Sequence, residues 1–259
     1  MNLFGGFPGT MEFKSALQAS HGFASMALAY FGVADLPKCF TKTLDLEYFE
    51  KAVQFMKNHP SVLGDKGIGV VGVCKGAQIA LAMASCLDDI KCVVWNNCSI
   101  NAACGSIKYK EKYWPQMELD CSKIKQSPVE LRDCFALPQH GTVHNLPSTF
   151  PFFKRHDVAY LFIAGWDDRC APAKFCADEA NILLKKFEHP DFKVLHYPKA
   201  GHLMEPKYSP HTSIFYQPGK DLGFFMSGGG EMVEHCKAQE DAWDKQLAFL
   251  KEKLGCEIV

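Results

Sequence analysis

The chain has 259 residues, 47% hydrophobic and 22% charged, an ordinary globular composition that excludes disorder as a description of the whole. Its 28 basic and 29 acidic side chains leave a net charge of −1, so no basic excess points to nucleic acid or an anionic membrane surface as a partner. No stretch approaches the ~20 apolar residues of a membrane span, and the length suits a single α/β domain over residues 1–259 with room for an inserted cap.

The chain opens on Met1-Asn2-Leu3-Phe4-Gly5-Gly6-Phe7-Pro8-Gly9. A secretory signal needs a basic start and an unbroken apolar core, and this segment has neither. Twelve cysteines without such a signal read as reduced thiols, which places the protein inside the cell. The chain ends Glu257-Ile258-Val259, no clear peroxisomal address, and cytoplasm and peroxisome both stay open. Cys-x-x-Cys does not occur, which argues against a zinc ribbon or a thioredoxin-type pair. Cys86, Cys92, Cys98 and Cys104 recur every six residues, a period that suits neither a helix nor a strand as a ligand cluster. The interval is read as coincidence, and no metal is expected.

Apolar runs and amphipathic helices then alternate, as successive βαβ units do. Gly22 to Tyr30 reads as a strand, and Leu46, Phe49, Val53 and Met56 give a helix face that ends before His59-Pro60. Ile68 to Val73 is a short buried strand, followed by an alanine-rich helix over Lys75 to Leu87. Cys92 to Trp95, Val158 to Ala164 and Phe192 to Tyr197 read as further strands. Phe175, Ile182, Leu183 and Phe187 supply one helix face, and Trp243, Leu247, Leu250 and Leu254 a closing one. Residues 99–157 break this rhythm and read as a cap over the sheet's C-terminal edge. Tyr208 to Glu231 reads as a second irregular stretch. Its Gly228-Gly229-Gly230 lacks a following Lys-Ser/Thr and is no phosphate loop.

The chemistry concentrates at Val71-Gly72-Val73-Cys74-Lys75-Gly76, a strand, then Gly-x-Cys-x-Gly, then a helix. This is the nucleophile-elbow pattern with sulfur in place of a hydroxyl. The strained turn leaves no room for side chains at Gly72 and Gly76. The helix amides and dipole favour a thiolate at Cys74. The Lys75 amide becomes the first oxyanion donor, and the Lys75 side chain is read as solvated. An elbow needs an acid and then a histidine in chain order. Asp168 ends the strand of Leu161-Phe162-Ile163-Ala164-Gly165-Trp166-Asp167-Asp168, and His202 follows the next one. Asp167 reads as a turn or capping residue, and His21, His59 and His189 as surface or helix-end residues.

With these motifs in hand, the sequence resembles the family of bile acid-CoA:amino acid N-acyltransferases and acyl-CoA thioesterases, in their C-terminal α/β-hydrolase domain. The resemblance rests on Leu3-Phe4-Gly5-Gly6, Gly22 to Tyr30, Asp35-Leu36-Pro37, Leu46 to Glu50 and the elbow. Gly201-His202-Leu203-Met204-Glu205-Pro206 and Asp241-Ala242-Trp243 complete it. It implies an α/β-hydrolase-like sheet with helices on both faces, with the acid at Asp168 and the histidine at His202. Thioesterase members look like Gly-x-Ser-x-Gly, whereas the N-acyltransferase carries cysteine, as Cys74 does here. Against the family, the N-terminal β-sandwich and the front strands of the sheet are expected to be missing. Pro8 interrupts the oxyanion loop and has no amide proton, so the second donor falls to Gly6 or Phe7.

The resulting expectation is an acyltransferase that moves an acyl group from an acyl-CoA thioester to an amino acid amine through a Cys74 acyl-enzyme. The resemblance suggests glycine or taurine as the amine. Coenzyme A enters as substrate, and no resident cofactor is expected. Two other readings stand beside it. One is an acyl-CoA thioesterase, or a Cys-dependent hydrolase of the dienelactone hydrolase kind, with water as acceptor. The other is a truncated, non-catalytic binding product. Oligomeric state and acyl preference are not legible.

Overall fold

The computed structural model describes residues 1–39, 41–218 and 223–255; the C-terminal tripeptide weighed above lies outside them. A parallel sheet of five strands carries the chain, in the order β1 (Asn2–Leu3), β3 (Ile68–Val73), β4 (Ile90–Asn96), β7 (Ala159–Gly165) and β8 (Phe192–Tyr197). Side chains alternate across each strand, so β7 sends Tyr160 and Phe162 into one core and Leu161 and Ile163 into the other. Burial on both faces explains why these strands read as continuous apolar runs.

The first face is covered by α2 (Leu46–Lys57), α3 (Lys75–Ala84) and α4 (Ala173–Lys186). The second is covered by α5 (Met232–Leu254), through Trp243, Leu247, Phe249 and Leu250. Asp45 caps α2 by accepting the Glu47 amide at 3.0 Å. The architecture is α/β-hydrolase-like, as expected, and no helix among the described residues is long and apolar enough to cross a membrane. The remaining early helix, α1 (Glu12–Ala19), is tied to the loop after His202 by a Lys14–Glu205 pair at 3.0 Å.

Two expectations need correction. Gly22 to Tyr30 is not a strand. It makes one parallel bridge, Ala27 to Asn2, with Asn2 N donating to Met26 O at 2.8 Å and Leu28 N to Asn2 O at 3.2 Å. Because β1 is only two residues long, it offers no further groups for a ladder. The stretch from Tyr208 to Glu231 is not irregular throughout, because it holds an antiparallel hairpin of β9 (Ile214–Gln217) and β10 (Phe224–Ser227). Exposed aromatics on both strands, such as Tyr216 and Phe225, hid the period-2 pattern.

Residues 99–157 include β5 (Ile107–Tyr109) and β6 (Lys112–Trp114), joined with β2 (Leu44–Asp45) in a small separate sheet. The rest is short 3₁₀ turns and extended chain that lie over the sheet's C-terminal edge. Such backbone satisfies fewer of its own hydrogen bonds locally. It borrows partners instead, as when Ala102 N donates to Ser148 O at 2.8 Å.

The tightest packing is at the β3–α3 turn. A Cβ on Gly72 would lie 2.4 Å from Gly76 O, and one on Gly76 would lie 2.1 Å from Leu3 O. Both obstacles are backbone, which cannot swing aside. Gly72→Ala should therefore lower stability by roughly 2–4 kcal/mol, measured by denaturant unfolding. A loss under about 0.5 kcal/mol would show that the turn has slack.

Candidate active site

Four loops at the C-terminal ends of β3, β4, β7 and β8 converge, which is where open parallel sheets gather functional groups. Cys74 occupies the first, at φ 54° and ψ −128°, directly before α3. That backbone region is costly for a residue with a Cβ, at about 1–3 kcal/mol. It turns the thiol out of the sheet and over the N-terminus of α3. Gly5 presses against it, since a Cβ there would fall 2.6 Å from Cys74 Cβ.

Asp168 and His202 meet at 2.8 Å between Oδ2 and Nδ1, both essentially removed from solvent. The other carboxylate oxygen of Asp168 accepts the amides of Cys170 at 2.8 Å and Ala171 at 2.9 Å. Burial pushes the Asp168 carboxyl up, while His202 and those two amides pull against it. Burial also disfavours an imidazolium at His202, but the Asp168 carboxylate, with Cys74 adding to it, outweighs burial and holds the His202 pKa well above the usual value.

Cys74 moves the other way, well below the ordinary thiol range. A hydrogen bond from the Cys98 thiol is the largest cause. Burial opposes it, and the His202 charge and the Lys75 amide add to it. The Cys74 and His202 shifts run in opposite directions, each group favouring the charged form of the other.

The structure thus brings Cys74, Asp168 and His202 together. It points Asp167 elsewhere, toward the Gly230 amide at 2.8 Å and Arg169 Nε at 3.3 Å. Gly6 lines the same cavity, and its carbonyl accepts Gln217 Nε2 at 2.6 Å. Two readings are corrected. The Lys75 side chain is not solvated but 1% exposed, because the cap closes over it and Gly105 O lies 3.5 Å from its Nζ. His189 is buried, held by Arg155 O and the Asp191 amide beyond the end of α4.

Sequence reasoning missed four positions. Asn97, fully buried at φ 44°, donates from Nδ2 to the carbonyls of Gly201 at 2.9 Å and His202 at 2.8 Å and accepts the Gly165 amide at 2.7 Å. It staples three of the converging loops. His235 accepts the Gly201 amide at 2.9 Å and donates to Leu203 O at 3.0 Å. Burial lowers its pKa to about 4, so it is a neutral brace. Cys98 lines the same cavity as Cys74, and Phe215 stacks on His202 with ring planes 15° apart. Of the six-residue cysteine series, Cys98 and Cys104 flank Cys74 in the cavity wall. A run of polar residues at the end of an apolar strand, Asn96-Asn97, was the one available signal.

The cavity offers about 170 Å³, many times what a single water needs. Its walls are Phe4 and Phe7 from the front loop, Ile124 and Phe135 from the cap, and Phe215 and Met226 from the hairpin. Asp168, Cys170 and His202 also bring one ligating atom each within 4.8 Å of one another. Those atoms are committed elsewhere: Asp168 to His202, and the Cys170 thiol, which burial keeps protonated, to Ser227 O at 3.2 Å.

Fold and geometry define an α/β-hydrolase-like protein with cysteine at the elbow. Over residues 44–256 the chain matches the family described as BAAT / Acyl-CoA thioester hydrolase C terminal, and it belongs to that family. It is 36% identical over 261 residues to mouse acyl-coenzyme A thioesterase 1, covering 100% of this chain and 60% of that protein. It is 37% identical over 254 residues to mouse bile acid-CoA:amino acid N-acyltransferase, covering 98% and 59%. The chain therefore spans somewhat over half the length of these relatives. The esterase Pf2001 of Pyrococcus furiosus shares the fold, with a TM-score of 0.51 and 14% identity over 98% of this chain and 82% of that one.

Cys74 should be the first thiol alkylated by iodoacetamide, ahead of exposed Cys121 and of Cys39, whose pKa is also lowered, by the Thr41 hydroxyl. Its rate should fall off less steeply than theirs as pH drops, because a thiol with a lowered pKa stays ionised where an ordinary one is protonated. Peptide mapping that shows Cys74 no faster than Cys121 below neutral pH would sink the assignment of a lowered pKa.

Proposed function

We propose that Cys74 carries an acyl group from an acyl-CoA thioester to a small amino acid amine, of the glycine or taurine kind. The observation that carries this reading is the Cys74 thiol at the strand-to-helix elbow, sharing an apolar cavity with His202 of the Asp168–His202 pair. The Cys74 thiolate attacks the thioester carbonyl, and the amides of Lys75 and Gly6 stabilise the oxyanion. When the tetrahedral intermediate collapses, the carbon–sulfur bond to coenzyme A breaks, and the leaving thiolate takes the His202 proton. One thioester replaces another, so the step is nearly thermoneutral. The neutral amine then attacks the acyl-enzyme and gives its proton to His202. The Cys74 thiolate leaves, restoring the ion pair. Asp168 holds the imidazole in the tautomer this requires. The free cysteines suit a reducing, intracellular compartment.

Amine and water compete for the same acyl-enzyme, and the thioesterase relatives make hydrolysis the second outcome to measure. A thioester favours the amine, because sulfur donates little resonance to the carbonyl and leaves readily. Cys74→Ser should therefore shift products from amide toward free acid at saturating glycine or taurine, whatever happens to total turnover. Amide and acid would be quantified from one acyl-CoA in wild type and variant. No amide from wild type with any amine would decide for the thioesterase.

The acid–base roles give a separate expectation. His202→Ala should lower turnover by roughly 10³-fold or more, and Asp168→Asn by about 10²–10⁴-fold. Asp167→Asn should cost far less, since that carboxylate braces Gly230. Steady-state kinetics on the three variants checks the order. A larger loss at Asp167 than at Asp168 would reassign the orienting acid.

A further inference from the structure

Apart from His202, Lys75 is the one lysine, arginine or carboxylate among the described residues lining the cavity. Its ammonium is 1% exposed and donates to two neutral oxygens, Gln78 Oε1 at 3.1 Å and Gly105 O at 3.5 Å. Among the described residues no carboxylate oxygen lies within the 4.0 Å of an ion pair. Burying a cation without a counter-ion is expensive, and two neutral acceptors leave one N–H unfilled. Burial lowers the Lys75 pKa accordingly.

Nearby thiols do not supply the missing anion. Cys98 and Cys104 line the cavity with Lys75, and burial pushes both of those thiols toward the protonated form. The Cys74 thiolate is already served by the Cys98 S–H, His202 and the helix amide. Lys75 thus lines the cavity together with Cys104, its ammonium balanced by no carboxylate among the described residues.

We propose that the Lys75 ammonium anchors a carboxylate or sulfonate of the reacting partners, holding the bound molecule within reach of Cys74. Two sources carry that group: the amino acid acceptor, whose amine would then face the acyl-enzyme, or the far end of an acyl chain that itself ends in a carboxylate. The first source rests on the acyl-transfer reading. The anion site as such does not.

The test needs no turnover. Cys74 is alkylated with iodoacetate and with iodoacetamide, which differ by a carboxylate, and the rate ratio is normalised to free glutathione. In wild type the ratio should exceed that of glutathione about tenfold, as a charge-assisted contact allows. In Lys75→Met it should fall to the glutathione value, and an unchanged ratio overturns the proposal.

A second measurement uses wild type alone, in case the variant does not fold. If the acceptor is the source, glycine and taurine slow iodoacetamide alkylation of Cys74, and glycinamide does not. If the acyl end is the source, adipate protects where hexanoate and glycine fail. That result keeps the anion site and removes its acceptor role. Protection by none of them overturns the site, whereas absence of amide product in the assay above bears only on acyl transfer.

Discussion

The backbone at Cys74 is the constraint on which the rest depends. A residue with a Cβ sits at φ 54°, and that strain persists only if its surroundings over-determine it. Gly72 and Gly76 let β3 and α3 meet at backbone distance, and Leu3 O closes the contact from β1. The front of the chain is pinned in turn. The Met1 amine donates to Gly69 O at 2.8 Å, and the Tyr30 hydroxyl to Gly5 O at 2.8 Å. A trans peptide puts the Gly6 N–H on the side opposite that Gly5 carbonyl. One turn thus couples the position of the thiol to the position of the loop that faces it.

The histidine is placed with comparable redundancy by groups that hold its backbone and its loop, not its ring. Asn97 grips the His202 loop and the end of β7 in one side chain, so the acid and histidine loops share an anchor on the nucleophile's neighbouring strand. His235 braces the same loop from α5. It can do so because burial keeps it neutral, with one nitrogen accepting and the other donating. A charged His235 would lose the acceptor that the Gly201 amide uses. Burial around the site therefore fixes protonation states as much as it excludes water.

The parts of the site legible in the sequence were those carried by local pattern. Gly-x-Cys-x-Gly between a strand and a helix placed Cys74 and Lys75. Strand-then-loop order placed Asp168 and His202 on the right edge of the sheet. The parallel sheet and its helices were legible through apolar runs and periodic stripes. Contacts between distant segments were not. Cys98 meets Cys74 only because β3 and β4 are neighbours in register, Val73 opposite Asn96. Lys75 looked like a surface lysine because no local signal reports that residues thirty positions away will cover it. The hairpin of β9 and β10 failed to read as strands because its aromatics face the cavity or solvent and not a sheet core.

Burial alone does not set the ionisation of a thiol. Desolvation raises the pKa of Cys92 and Cys176 to about 12 and pushes Cys98, Cys104 and Cys170 up as well. Cys74 feels the same penalty and still falls below the ordinary range. What separates it is directional: the Cys98 thiol, His202 and the amide at the N-terminus of α3 all favour its charged form, each stronger in a site that excludes water. Cys98 contributes because it stays protonated, since only an S–H can donate to a thiolate. The apolar wall that pushes the buried thiols up is thus also what keeps Cys98 a donor beside Cys74.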